Sequence, residues 1–166
     1  LKLDFNIDYE RFVQAVVPPI PPCFLWLRKP MRGKYVQPKD ASLAVLMSFY
    51  NAADTVWYAI FSLALQLDHP DEILIGDDNS NIQEQDVLAK IKWLYPCLPV
   101  RLISSDENIG TYGIRNLLVT ECSSSMLVIN DSDDFSMRTR LARQLSCLAE
   151  GATRAVYSNH VRVKLD

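Results

Sequence analysis

Short apolar runs alternate with amphipathic stretches from residue 41 onward. The apolar runs predict buried strands, since they are brief and bounded by turn residues. These strands are expected at Leu43–Ser48, Glu72–Gly76, Val100–Ile103 and Met126–Ile129, and a fifth is expected to begin at Ala155–Ser158. Apolar residues recur at helical spacing in the intervening stretches. Helices are therefore predicted at Asp54–Gln66, with Asp54 as N-cap, and at Gln83–Leu94, Thr111–Thr120 and Thr139–Leu148.

Strands that alternate with helices of this length indicate βαβ units, an α/β fold and a mostly parallel sheet. Right-handed crossovers then place helices on both faces of the sheet. In such sheets ligands bind outside the carboxyl ends of the strands. The residues that directly follow each strand are therefore the candidates for chemistry.

The first forty residues differ from the remainder. Asp8–Val17 is a candidate for a short amphipathic helix, and Val17–Pro22 holds four prolines, which predict extended, polyproline-II-like chain. Trp26 and Leu27 are candidates for docking on the main body. We interpret residues 1–40 as an N-terminal arm or linker.

Residues 41–166 are expected to form one domain, because a chain of 166 residues can bury a single core. Hydrophobic residues make up 49% and charged residues 22%, which is typical of a globular protein. The strand-like run before Arg162–Asp166 has no helix after it to cover it, so we expect the domain to be incomplete here and the natural protein to continue.

Charge and hydropathy limit the partners. The net charge is −3 and the pI about 5.4, with no basic stripe to favour nucleic acid. No apolar run approaches the ~20 residues that span a bilayer, and no signal peptide is visible. Peripheral membrane association and the oligomeric state stay open.

The four cysteines are widely spaced. They lie at Cys23, Cys97, Cys122 and Cys147, none in a CxxC pair, and with only two histidines a zinc site is disfavoured. We predict reduced, mostly buried thiols in a cytoplasmic protein. A disulfide stays open, because pairing depends on geometry.

Polar residues follow all four strands. They form the segments Ser48–Asn51, Asp77–Ser80, Ser104–Gly110 and Asn130–Asp134. Two of these segments hold carboxylate clusters at the same edge of the sheet, where like charges would repel. A divalent cation relieves the repulsion, and oxygen ligands favour Mg²⁺ or Mn²⁺ shared with substrate phosphates. A nucleoside diphosphate is the natural complement.

Structural roles compete with this hypothesis. Asp77–Ser80 could form only a turn and a helix cap. Asp131–Asp134 could cap the next helix or bind structural calcium, and Tyr50 could be a packed aromatic rather than a platform for a base. The occurrence of both acidic clusters at matching strand ends favours the functional interpretation.

From Ser42 to Tyr157 the sequence resembles the family 2 glycosyltransferases of the GT-A type. The matching motifs are, in order, Ser48-Phe49-Tyr50-Asn51-Ala52, Gly76-Asp77-Asp78-Asn79-Ser80, Asn108-Ile109-Gly110, Ile114-Arg115-Asn116, the DxD motif Asp131-Ser132-Asp133-Asp134 and Arg140-Leu141. The chain departs from the family in Ser48 for proline, Asn79 for glycine and Ser123–Ser125 for a glycine turn. The resemblance implies a Rossmann-like, three-layer α/β/α fold.

The resemblance also implies roles at the nucleotide base. Tyr50 would stack on a uracil-like base. Ser48 would help to hold the base within the turn that includes Asn51. Asp78 would accept a hydrogen bond from the N3–H group of the base.

Further roles are implied near the diphosphate. Arg115 and the turn at Gly110 would lie close to the nucleotide or sugar. Asp131 would contact the ribose or a metal-bound water, and Asp133 would ligate Mn²⁺ or Mg²⁺. Asp134 could replace either carboxylate.

The implied reaction transfers a sugar from a nucleoside-diphosphate sugar, with UDP as carrier, to a hydroxyl of a glycan or lipid-linked acceptor. The metal neutralises charge on the leaving diphosphate, and members of this kind usually invert the anomeric centre. Inversion needs a general base. That base is expected beyond residue 166, so no residue of this chain is assigned to it.

Three other interpretations are weighed. A non-catalytic, donor-binding fragment of a larger enzyme fits the same motifs. A response-regulator receiver would explain Asp77 and Asp78, but Asp131 lies late for its phosphoacceptor and no Lys-Pro pair follows it. A dinucleotide-binding domain is disfavoured, because no GxGxxG motif follows a strand.

Overall fold

A computed structural model describes residues 41–96, 98–149 and 155–158, without the side chains of residues 82–84 and 92–94. The predicted N-terminal arm, with its helix at Asp8–Val17 and its proline-rich segment, lies outside the described residues. So do Cys23 and Cys97. Within the described part, no helix is long and apolar enough to cross a membrane.

The described residues contain a four-stranded sheet. Its strands are β1 (Leu43–Phe49), β2 (Glu72–Asp77), β3 (Val100–Ser104) and β4 (Met126–Ile129), in the order β3-β2-β1-β4. All three pairings are parallel. The four predicted strands are confirmed, with ends that agree within one residue. The mostly parallel sheet expected from the alternating pattern is thereby confirmed as well.

Four helices connect and follow the strands. They are α1 (Ala53–Ala64), α2 (Ile82–Leu94), α3 (Gly110–Glu121) and α4 (Arg140–Ala149). The four predicted helices are confirmed, but Asp54 is not the N-cap of α1. The N-cap is Ala52, which makes no side-chain cap hydrogen bond, and Asp54 lies in the first turn, where its charge favours the helix dipole.

The helices cover the sheet from both sides. One core lies between the sheet and helices α1 and α2, built on Val45, Met47, Ile73 and Ile75 of the central strands. The alternate residues of these strands point to the opposite face, because side-chain direction has a period of two. There Ala44, Leu46 and Leu74 pack against Leu118 of α3. The three-layer α/β/α arrangement is therefore confirmed.

The predicted fifth strand is wrong for the residues that the structure describes. Residues 155–158 form no strand, and Tyr157 is 93% exposed. An apolar run becomes a strand only where its backbone finds a pairing edge, and these four residues pair with none of β1 to β4.

The cysteine prediction is confirmed in part. Cys122 and Cys147 are free thiols. Cys122 is half-buried, but Cys147 is exposed, so the expectation of mostly buried thiols is wrong for it. Cys147 lies in α4, a helix that buries only Leu141, Ala142 and Leu145.

Candidate active site

A cleft of about 540 Å³ lies at the carboxyl edge of the sheet. The chain runs outward from β1 to β2 and β3, and then returns to place β4 on the other side of β1. Crevices at such a reversal of strand order are where open α/β sheets bind their ligands. The cleft is lined by Ser48–Ala52, Asp54, Thr55, Asp78, Thr111, Ile114 and Asp131–Asp133.

Most of the residues predicted from the sequence meet in this cleft. Ser48, Tyr50, Asn51, Asp78, Asp131 and Asp133 line it together. They come from the ends of three different strands, so only the folded sheet brings them close. The half-exposed ring of Tyr50, at 52%, shows that it is no core aromatic.

Three predicted residues are not among those that line the cleft. Arg115 reaches it indirectly, through an ion pair with Asp131. Gly110 begins α3 with a φ of +75°, a conformation that favours glycine. Asp134 lies beside the cleft, where its backbone nitrogen donates to the Asp131 carbonyl at 3.1 Å.

Asp131 is held by two neighbours. Its Oδ1 atom accepts a hydrogen bond from Nη2 of Arg115 and another, at 3.4 Å, from Oγ of Ser48. The Arg115 side chain is 22% exposed and that of Asp131 41%, so this charge-assisted contact is partly open to water on the side of the carboxylate. The Asp131 carboxylate therefore has a set orientation at the mouth of the cleft.

Asp133 presents a second carboxylate to the cleft. It is exposed, and it takes part in none of the three ion pairs among the described residues. No group of three or more His, Cys, Asp or Glu side chains in the described part of the chain could hold a metal alone. Two carboxylates nevertheless suit Mg²⁺ or Mn²⁺, which usually take their other ligands from substrate phosphates and water.

Asp78 connects the cleft to the loop before α3. The residue is 3% exposed, and its Oδ1 atom accepts a hydrogen bond from the backbone nitrogen of Ile109 at 2.7 Å. Its backbone nitrogen donates to the Phe49 carbonyl at 2.9 Å. This carboxylate thus fixes where α3 begins, and so where Arg115 lies.

Asp77 has a structural role, as the turn-and-cap alternative predicted for this cluster. Its Oδ1 atom accepts from the backbone nitrogen of Ser80 at 3.1 Å, and its Oδ2 atom from Nε2 of Gln85 at 3.1 Å. Asn79 has a φ of +59°, the left-handed conformation that its replacement of glycine requires. Within one acidic pair, Asp77 therefore forms the turn and Asp78 faces the cleft.

The sequence interpretation missed a buried polar network behind the acidic run. Asn130 is fully buried and Ser136 is 4% exposed. The Oδ1 atom of Asn130 accepts from Oγ of Ser136 at 2.6 Å and from Nη1 of Arg140 at 2.7 Å. The sequence signal for this network is an asparagine directly after an apolar strand, followed by a serine and an arginine that are four residues apart.

Burial lowers the pKa of the Arg140 guanidinium, and the negative charges of Asp134 and Asp131 oppose that shift. A guanidinium keeps its proton under these conditions, because its ordinary pKa is far above neutrality. Arg140 therefore places a fixed positive charge behind the acidic run.

Comparison with known proteins identifies the family. The model of glycosyl transferase family 2 matches residues 44–166. The chain is 27% identical over 120 residues to WfaP of Escherichia coli, described as a UDP-Glc:alpha-D-GlcNAc-diphosphoundecaprenol beta-1,3-glucosyltransferase. That match covers 71% of this chain and 45% of WfaP. The succinoglycan biosynthesis protein ExoO of Rhizobium meliloti is 30% identical, over 77% of this chain and 36% of ExoO.

A solved structure has the same fold. The mannosyltransferase PcManGT from Pyrobaculum calidifontis, in complex with GDP-Man and Mn²⁺, superposes with a TM-score of 0.62 at 18% identity. The superposition covers 77% of this chain and 39% of that one. The chain thus spans less than half the length of each of these three proteins.

The strand order of the sheet excludes the alternative that this chain is a response-regulator receiver domain. Receiver domains have the strand order 2-1-3-4-5, in which β1 lies between β2 and β3. Here β1 lies between β2 and β4. The chain has this strand order and a GT-A-type fold, and the family model covers most of its length. The chain therefore belongs to glycosyl transferase family 2.

Proposed function

We propose that this chain binds the donor in a glycosyltransferase that moves a sugar from a UDP-linked donor to a hydroxyl acceptor. The observation that carries the proposal is the meeting of Tyr50, Asp78, Asp131 and Asp133 in one cleft. An aromatic platform and a hydrogen-bond acceptor at one side suit a base. Two carboxylates at the other side suit a divalent cation and a diphosphate.

The base-binding end is built from β1 and β2. Tyr50 offers a ring face for stacking, and Asp78 offers a carboxylate with few competing water contacts. Ser48 and Asn51 complete the turn that presents Tyr50, and Asn51 adopts a φ of +47° there. The donor named for WfaP carries UDP, which supports uracil as the base.

The diphosphate end is built from the DxD motif. Asp131 and Asp133 would hold Mn²⁺ or Mg²⁺, and the Mn²⁺ in the PcManGT complex supports a metal of this class. When bound, such an ion neutralises negative charge on the leaving diphosphate. Arg115 keeps Asp131 oriented and adds positive charge at the same side of the cleft. Asp134 follows this pair in the same run but is not among the residues that line the cleft.

The acceptor and the general base are proposed to lie outside this chain. The names of WfaP and ExoO support a lipid-linked or glycan acceptor in polysaccharide or glycoconjugate synthesis. Transfer with inversion requires a base beside the acceptor hydroxyl. We place the reaction in the cytoplasm, supported by the free thiols of Cys122 and Cys147.

A calorimetric titration tests donor binding. UDP should bind more tightly with Mn²⁺ than with EDTA, and Asp133→Ala should remove that difference while the circular dichroism spectrum stays unchanged. Asp106→Ala is the matched control, because it removes another exposed carboxylate that does not line the cleft. Equal UDP affinity with and without Mn²⁺ in the unaltered chain would contradict the proposal.

A second candidate is a donor-binding unit that does not turn over by itself. The observation that favours it is the coverage of WfaP, since 120 matched residues amount to 45% of that protein. Transfer and hydrolysis of UDP-sugars should be measured with this chain and with a longer natural form of the protein. Turnover by the longer form alone supports the binding unit, whereas turnover by both supports a complete enzyme.

A further inference from the structure

We propose that Arg140 is a positioning residue, which acts through Asn130 and Ser136 to hold the Asp131–Asp134 run in its metal-binding shape. This inference rests on the proposed function, because it concerns the same cleft. Arg140 itself does not line the cleft, and its role is therefore indirect.

Arg140 bridges the strand and the loop that follows it. Its Nη2 atom donates to the carbonyl of Ile129, the last residue of β4, at 2.8 Å. Its Nη1 atom donates to Oδ1 of Asn130 at 2.7 Å and to Oγ of Ser136 at 2.8 Å. One planar guanidinium thus fixes both ends of the segment that contains the acidic run.

Asn130 transmits this constraint to the acidic run. Its Nδ2 atom donates to the carbonyl of Asp131 at 3.0 Å and to that of Asp134 at 3.4 Å. The amide therefore spans the run from first to last residue and curls it into a compact turn. Such a turn leaves the Asp133 side chain exposed to the cleft.

Ser62 of helix α1 and Gln66, two residues after the end of that helix, anchor the far side of the same segment. The Ser62 hydroxyl accepts from the backbone nitrogen of Ser136 at 3.0 Å. Nε2 of Gln66 donates to the Met137 carbonyl at 3.0 Å, and its Oε1 accepts from the backbone nitrogen of Leu141 at 3.1 Å. The network is thus attached to the core, so it can transmit rigidity to the cleft.

Removal of Arg140 should therefore affect the metal-dependent part of donor binding. The measured quantity is the ratio of the UDP dissociation constants in EDTA and in Mn²⁺. We expect Arg140→Met to lower this ratio about tenfold, the lower end of the range for groups bonded directly to a metal ligand, because Arg140 acts on the acidic run only through Asn130 and Ser136. UDP affinity in EDTA should stay close to that of the unaltered chain, since Tyr50 and Asp78 directly follow other strands, β1 and β2.

Arg101→Met is the matched control. Arg101 also combines a backbone acceptor with side-chain partners, donating to the Glu121 carbonyl at 3.1 Å and pairing with Glu72 at 3.3 Å. It does not line the cleft. Arg101→Met should have a lower melting temperature than the unaltered chain but the same ratio of UDP dissociation constants in EDTA and in Mn²⁺.

Ser136→Ala is a milder variant that decides the matter if Arg140→Met does not fold. It removes one acceptor of Arg140 and one donor to Asn130, so the ratio should fall by a smaller factor. An unchanged ratio in the folded Arg140 variant, or in Ser136→Ala if only that variant folds, overturns the inference. Equal losses of UDP affinity with and without Mn²⁺ overturn the inference as well, because they indicate a general loss of structure. A ratio of one in the unaltered chain would contradict the proposed function instead.

Discussion

Individual carboxylates in this chain have separate roles that their position in the sequence does not reveal. Asp77 and Asp78 are adjacent, yet one closes a turn on Ser80 and the other faces the cleft. Asp131 is paired with Arg115, whereas Asp133 enters no ion pair among the described residues. Side-chain direction and local partners therefore decide which acid is available to a ligand.

Glu72 shows the same principle at the opposite edge of the sheet. It is 8% exposed, and its Oε1 atom accepts hydrogen bonds from the backbone nitrogens and hydroxyls of Ser123 and Ser124 at 2.8–3.1 Å. Burial by itself would raise the pKa of Glu72, but these bonds and that from Cys122 lower it from 4.5 to about 2. The serines that replace the family's glycine turn thus bind a buried carboxylate.

Glu72→Gln should destabilise the fold by about 2 kcal/mol, because an amide oxygen is a weaker acceptor for these donors. The lowered pKa of Glu72 implies a contribution that is complete above pH 4.5 and is lost as the pH falls towards 2. Urea unfolding at several pH values should show that the free energy of unfolding of Glu72→Gln falls less than that of the unaltered chain between pH 4.5 and about 2. Glu121→Gln is the control, since its side chain is 49% exposed and should change stability by less than about 1 kcal/mol. Equal effects of both substitutions would contradict the assignment.

At the scale of elements, helix α3 lies unusually close to the sheet. A Cβ atom built on Gly76 of β2 would lie 2.6 Å from Cγ1 of Ile114 and 3.1 Å from Cδ2 of Leu118. Only a residue without a side chain allows this approach. The approach places Arg115 within reach of Asp131, so the packing of one helix determines the electrostatics of the cleft.

Gly76→Ala should therefore destabilise the fold by about 1–3 kcal/mol, the usual cost of overpacking a core. It should also weaken UDP binding, because α3 must move away from the sheet. Thermal unfolding and calorimetry measure the two effects.

Gly113→Ala provides the comparison for the same helix. Its Cβ would lie 3.0 Å from Cβ and Cγ1 of Ile109, a milder conflict than the 2.6 Å contact at Gly76. Alanine also favours the helix by up to about 1 kcal/mol, which offsets part of the cost. A smaller loss of stability than for Gly76→Ala is expected, and an equal loss in both variants would argue against a special role for Gly76.

At the scale of the whole molecule, the cleft is a property of the strand order. Tyr50 follows β1, Asp78 follows β2, and Asp131 and Asp133 follow β4. These three strands are neighbours in the sheet. A ligand that bridges them should oppose unfolding of the entire sheet. Binding and stability are therefore coupled by mass action.

UDP with Mn²⁺ should raise the melting temperature of the chain. At a ligand concentration one hundred times the dissociation constant, the stabilisation is about 2.7 kcal/mol, or several degrees. A thermal-shift screen of UDP, GDP and dTDP with Mn²⁺ should favour UDP. A larger rise in melting temperature with GDP would indicate guanine rather than uracil as the bound base. The melting temperature of Asp133→Ala should rise less than that of the unaltered chain with every nucleotide.

The elements could be predicted because periodicity in the sequence is a local property. The strand predicted at Met126–Ile129 is correct to the residue, and the other three end one residue later than predicted, since an apolar run between turns has few alternatives. The N-cap of α1 and the strand at Ala155–Ser158 were wrong. Both depend on backbone hydrogen bonds that a local pattern does not contain. The carbonyl of Ala52 accepts the first hydrogen bonds of α1, from the nitrogens of Thr55 and Val56, whereas residues 155–158 have no pairing edge.

The sequence by itself determined the alternation of strands and helices, the acidic residues at the strand ends and the family that these motifs resemble. Only the tertiary structure decided that Asp78 faces the cleft while Asp77 does not, that Arg115 pairs with Asp131, and that Arg140 donates hydrogen bonds to Asn130 and Ser136 behind the acidic run. Local propensity and hydrophobic periodicity act between near neighbours in the chain. Burial, ion pairing and hydrogen bonding act between residues that only the folded sheet brings together.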